Sequence, residues 1–171
     1  MRQSNAAFVV IALLASGHAL AGGDESASVQ RTSRQQNIPS VEVSSVTVEP
    51  AEIRASVKTG EAPPTATVTV QLFHQLLTSE QSVVLQVATL RTDPPGISVT
   101  YSPEQQRIRL PPSDPGRVVA TVKVSNPQFG SPSQGVVDIT ATLSDATPGI
   151  RIGNNNPSGP EHQTRLTVRQ E

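Results

Sequence analysis

Apolar residues recur at every second position through most of this chain. In the stretch Thr67–Leu72, Val68, Val70 and Leu72 alternate with Thr67, Thr69 and Gln71. Successive side chains of an extended strand point to opposite faces, so such a run buries one face and solvates the other. On a helix the same residues would be scattered around the axis. The pattern repeats at Val83, Leu85 and Val87, at Ile97, Val99 and Tyr101, and at Ile108 and Leu110. It returns at Val118, Ala120, Val122 and Val124, at Val137, Ile139, Ala141 and Leu143, and in a last short strand with Leu166 and Val168. Between the runs stand Asp93-Pro94-Pro95-Gly96, Pro111-Pro112-Ser113-Asp114-Pro115-Gly116, Asn126-Pro127 and the stretch Gly153–Gly159. Proline lacks a backbone donor and glycine admits positive φ, so both end strands and build turns. Short strands at this spacing predict an all-β, two-sheet antiparallel sandwich of about seven to nine strands.

Two segments depart from simple alternation. Val41 and Val43 are followed by Val46 and Val48, a phase slip at Ser44-Ser45 that predicts a bulge or a switch between sheets, with Pro50 ending the strand. Ile53–Lys58 reads as a weak extended segment closed by Gly60. Phe73, Leu76 and Leu77 have helical spacing, but Phe73–Ser79 is expected to be a strand end or loop.

The amino terminus has the three parts of a secretory signal. Arg2 supplies the positive charge, Ala6–Ala15 the apolar run, and Ala19-Leu20-Ala21 the small side chains that the cleaving peptidase admits. Cleavage is expected after Ala21, giving a periplasmic or secreted protein. An apolar run of about ten residues falls short of the roughly 20 needed to span a bilayer as a helix, and no second run follows, so no membrane insertion is expected after cleavage. Residues 22–40 are polar, a composition that cannot offset the entropy of ordering, and read as a flexible leader. The domain is expected over residues 41–171.

Removing residues 1–21 takes away Arg2, one of 13 basic residues, and leaves 12 basic against 14 acidic. The charges are scattered singly, so no electrostatic footprint for nucleic acid or an anionic membrane is expected. There is no cysteine. Stability must therefore come from packing and strand pairing, and thiolate zinc sites are excluded.

The segment Pro95–Pro103, followed by Ile108-Arg109-Leu110-Pro111-Pro112 and the alternating strand Val118–Val124, resembles bacterial immunoglobulin-like modules of the NPCBM-associated kind. Gly135 before Val136–Leu143 is similar as well, so the resemblance covers residues 41–171. It implies an immunoglobulin-like sandwich acting as an accessory or interaction module of exported proteins.

Candidates for chemistry are few. Nucleophilic catalysis needs an activated hydroxyl or thiol, and beyond residue 21 only His74 and His162 could serve as imidazole bases, with no Gly-x-Ser-x-Gly elbow. His74 is expected at a strand edge facing solvent, and His162 at the surface of the Pro/Gly/Asn loop. Asp145 with Asn154, Asn155 and Asn156 could offer oxygen ligands to calcium, but the spacing matches no EF-hand loop, and asparagine is also a turn former. Tyr101 shares its phase with Ile97 and Val99, which predicts a core or tyrosine-corner role rather than a sugar platform. No catalytic, cofactor-binding or metal-binding residue is assigned, and no cofactor is expected. The reading is a non-enzymatic interaction module whose partner is another exported protein or a cell-surface polymer, engaged by strand addition at Val41–Val48 or Thr164–Arg169. The alternatives are a surface-fibre subunit donating Val41–Val48 and a carbohydrate-binding module.

Overall fold

A computed structural model describes residues 38–55, 63–130 and 133–170. The expected signal peptide and the leader up to residue 37 lie outside the described residues, as do Lys58 and Gly60. The described residues form ten strands: β1 (Ser40–Glu49), β2 (Glu52–Ala55), β3 (Thr65–Gln75), β4 (Gln81–Asp93), β5 (Ile97–Ser102), β6 (Gln105–Leu110), β7 (Gly116–Phe129), β8 (Gln134–Ser144), β9 (Arg151–Ile152) and β10 (Gln163–Gln170). The first sheet has the order β5-β7-β3-β1-β9 and the second β2-β10-β8-β4-β6. This is an immunoglobulin-like β-sandwich. Two short pairings, β1 with β9 and β2 with β10, are parallel; the others are antiparallel.

Odd-numbered strands lie in one sheet and even-numbered strands in the other, so every connection crosses the sandwich. That explains the turn chemistry. A hairpin within one sheet favours Asn-Gly or Asp-Gly, whereas an arch between sheets needs an extended, non-pairing segment, which Asp93-Pro94-Pro95-Gly96 and Pro111–Gly116 provide.

The predicted inward residues form the core. Leu72, Leu85, Leu110, Ile139 and Leu166 are among the largest fully buried side chains, filled in by Val41, Val68, Val70, Val83 and Val87. Burying one such side chain contributes about 1.5–3 kcal/mol, and a core of this kind replaces the absent disulfides.

Three bulges preserve the alternation. In β1 the register shifts between Val43 and Ser45, so Val41, Val43, Val46 and Val48 are all buried, and the Ser44 hydroxyl donates to the Gln71 carbonyl at 3.2 Å. The switch between sheets falls later, at Pro50, where the chain leaves β1 for β2. In β4 the shift lies between Thr89 and Arg91. Leu90 absorbs it, and Arg91 turns to the outer face opposite Asp138 instead of into the core. In β7, Asn126 and Pro127 form a bulge within the strand, not the turn expected: Ser98 pairs with Gln128 and Thr100 with Ser125. Asn126 takes a φ of 51°, a left-handed conformation that asparagine tolerates, and proline is admitted at a bulge. The two-residue β9 had no period-two signal.

Candidate interaction site

His74 and His162 are fully buried, a correction to their expected surface positions. Strand β3 runs on to Gln75, so His74 continues the inward row of Ala66, Val68, Val70 and Leu72. Its ring lies over Gly116, where any added Cβ would clash with the imidazole and with the Ser113 hydroxyl. Neither ring nitrogen has a hydrogen-bond partner, and burial lowers its pKa. Such a site can hold a neutral imidazole but offers no general base. Gly116→Ala is expected to cost about 1–3 kcal/mol by overpacking, measured as a lower urea midpoint.

A pH dependence follows. Folded His74 resists protonation, whereas the unfolded chain takes up the proton near 6.5. Stability is therefore complete above that value and declines as the pH falls through it. Asp138 acts lower. The Arg165 hydrogen bond holds its carboxyl below the ordinary 3.8, opposed by burial and assisted by Arg91, so its contribution is present above that value and lost below it. Urea midpoints should drop between about pH 7 and 5, and His74→Leu should flatten that slope. A flat wild-type profile would remove the buried-imidazole explanation.

His162 closes a gap beside β8. Strand β10 pairs with β8 only as far as Gln163 opposite Thr140, which would leave the end of β8 without a neighbour there. His162 Nδ1–H donates to the Ala141 carbonyl at 2.9 Å. Asn155 accepts from the Leu143 N–H and donates to the Leu143 carbonyl, both at 2.8 Å. The loop's side chains thus substitute for a missing stretch of strand. Asn154 donates to Glu161, and Asn156 accepts from the Ser158 N–H at 3.0 Å. These asparagines are spent on loop structure, and among the described residues no group of three or more His, Asp or Glu side chains could hold a metal.

Tyr101 packs against the core as expected, half-buried, with its hydroxyl 2.7 Å from Thr89 Oγ1. Burial pushes its pKa up to about 12. Its partner is a side chain, not the backbone group of a tyrosine corner. Phe73 and Phe129 are also half-buried, so no described aromatic ring lies open as a sugar platform.

The outer face of the second sheet gathers arginines that are dispersed in sequence, because β6 and β10 carry them at alternate positions: Arg107 and Arg109, Arg165 and Arg169. Acids break up this face. Glu52 meets Arg169 at 3.4 Å and Arg54 at 2.9 Å, and Asp138 takes both Arg91 and Arg165. An open polar groove of about 500 Å3 lies between β4 and β6, lined by Glu80, Gln81, Ser82, Arg107, Arg109 and Thr147.

The sheet edges are the remaining distinctive feature of the surface. Strand β9 covers β1 only at Ser40 and Val41, with Gly153 N–H donating to the Val41 carbonyl at 2.8 Å. Among the described residues, no strand pairs with the outer side of β1 from Val43 to Glu49, although the 3-10 turn Pro160–His162 packs against this strand. The expected edge Thr164–Arg169 is half closed, since β2 pairs with Thr167–Gln170.

No family model matches this chain. A search of curated proteins also finds no match. Among solved structures, the apo form of the Calx CBD1 domain is similar at 11% identity and a TM-score of 0.38, covering 78% of this chain and 98% of that one. A bacterial adhesin from Mobiluncus mulieris, containing intramolecular disulfide, isopeptide and ester cross-links, is similar at 12% identity and a TM-score of 0.43, covering 78% of this chain and 58% of that one. WR4, a C. elegans MSP family member, gives 13% identity and a TM-score of 0.31 over 74% of this chain and 96% of its own. These are distant resemblances among varied β-sandwich domains, and none is specific to the NPCBM-associated kind.

Proposed function

We propose that this protein is an exported, non-enzymatic interaction module that holds an extended segment of another exported protein by adding it as a strand. The observation that carries this reading is the uncovered outer edge of β1. The pairs Val46–Val70 and Thr47–Thr69, taken with the outward Val41 carbonyl, place the backbone groups of Val43, Val46 and Val48 away from β3. Such a row of donors and acceptors is a template for a further strand. Export rests on the amino-terminal signal pattern, and a cell-surface polymer is the other partner class. The fibre-subunit alternative is disfavoured by packing: releasing Val41–Val48 as a donor strand would expose four buried valines, each worth about 1.5–3 kcal/mol.

A photo-crosslinker at Thr47, exposed on β1, tests this in the exported compartment of the producing cell. Capture of one protein through Thr47, and not through a crosslinker at exposed Arg107, is the expected result. A regular ladder of the protein itself would favour the fibre subunit instead.

A further inference from the structure

We infer that the uncovered half of β7, Arg117–Thr121, is a second strand-addition site, selective for a short extended segment that places an acidic residue opposite Arg117 and a β-branched or aromatic residue opposite Val119. This rests on the reading above, that the domain binds extended chains.

Strand β5 covers β7 only from Lys123, opposite Ser102, to Phe129, opposite Ile97. After Ser102 the chain leaves the first sheet and pairs with β4 as β6, so the line of β5 stops halfway along its neighbour. On its other side β7 stays paired with β3 down to Gly116 opposite His74. The uncovered half is thus held in strand conformation by one partner and, among the described residues, lacks the other.

The register tells which backbone groups are free. In an antiparallel ladder, residues alternate between those bonded to one neighbour and those turned to the opposite side. The Thr121 carbonyl accepts from Gln106 Nε2 at 3.2 Å across the open side, which places the N–H and C=O groups of Arg117, Val119 and Thr121 away from β3. Gln106 is the only described group that bonds them, and its amide occupies the place that an incoming strand's N–H would take. A bound segment would displace a side-chain placeholder, with no strand broken.

The side chains define the chemistry of the partner. Val119 is 60% exposed, the most exposed of the described large hydrophobic residues, and a β-branched or aromatic neighbour directly across would cover it. Arg117 is exposed and is not engaged in any described ion pair, so an acidic residue fits opposite. Between Arg117 and Thr121 there is no proline, lysine or bulge, and Arg117 is the single charge that would blunt this edge. Five residues of added strand span about 17 Å, from Arg117 to the end of β5.

The test uses the full chain, labelled for amide hydrogen exchange by NMR. The probe is a seven-residue peptide of threonines with a central valine and a glutamate two positions after it, the order that antiparallel pairing places opposite Val119 and Arg117. Saturating peptide should slow exchange at Val119 and Thr121 about tenfold or more. The same peptide N-methylated at its valine should not. Val119→Pro should abolish protection while the amides of Val118 and Ala120, bonded to β3, stay protected. Protection at Val43, Val46 and Val48 alone would overturn the β7 site and leave the strand-addition reading standing. Protection at neither edge would overturn both. Protection at Val119 that rises with protein concentration in the absence of peptide would overturn the proposal in favour of a second copy on this edge.

Discussion

Val122→Asp should leave the chain unfolded, with loss of the β-sheet circular dichroism signal, while Thr121→Asp keeps it folded with a urea midpoint close to that of the wild type. Val122 is 1% exposed and lies opposite Val68, itself fully buried. A carboxylate there loses its water and finds no cation. Its burial costs several kcal/mol even if the group stays protonated, against a total stability of about 5–15 kcal/mol for a domain of this class. Thr121 is the adjacent residue, yet its side chain stands on the exposed face of the same strand, where substitutions change stability by roughly 0.5 kcal/mol or less. If the two variants behaved alike, the assigned inward face of β7 would be wrong, and with it the whole first sheet, since a slip of one residue turns every side chain over.

The second large effect is expected at His162. Its ring is completely buried, and Nδ1–H is the donor that satisfies the Ala141 carbonyl. His162→Ala opens a cavity the size of the imidazole and leaves that carbonyl without its partner, which together should cost about 2–4 kcal/mol. His162→Asn should recover part of the loss, because the asparagine amide nitrogen reaches nearly the position of Nδ1. Urea unfolding of the three proteins gives the comparison. A change of about 0.5 kcal/mol or less for His162→Ala would mean that the residue is at the surface after all.

The two histidines differ in how far the sequence could have located them. His74 stands at an even step beyond Val68, Val70 and Leu72. Carrying the period two residues further would have placed it inside; ending the strand at Leu72 concealed it. His162 has no such signal. It lies among Pro160, Glu161 and Gln163, and it is buried only because the loop folds back along the end of β8. The edges divide in the same way. The sequence offered two edges, Val41–Val48 and Thr164–Arg169, and only the pairing shows that the first is open beyond Val41 while β2 half closes the second. The half-edge of β7 was not legible, since it depends on where β5 leaves the sheet.

Alternation, proline and glycine therefore determined the strands, their inward faces, the bulge in β1 and the all-β sandwich. These are consequences of chain geometry over two to ten residues, which local residue order carries directly. Tertiary structure alone decided that odd and even strands part into separate sheets and that Asn126-Pro127 bends a strand without ending it. It also decided that Asn155 and His162 complete β8, and that dispersed arginines share a face with the acids that neutralise them. Each of these depends on which distant segment becomes a neighbour. That choice is made by the sum of many pairings across the sandwich, and no single stretch of the chain encodes it.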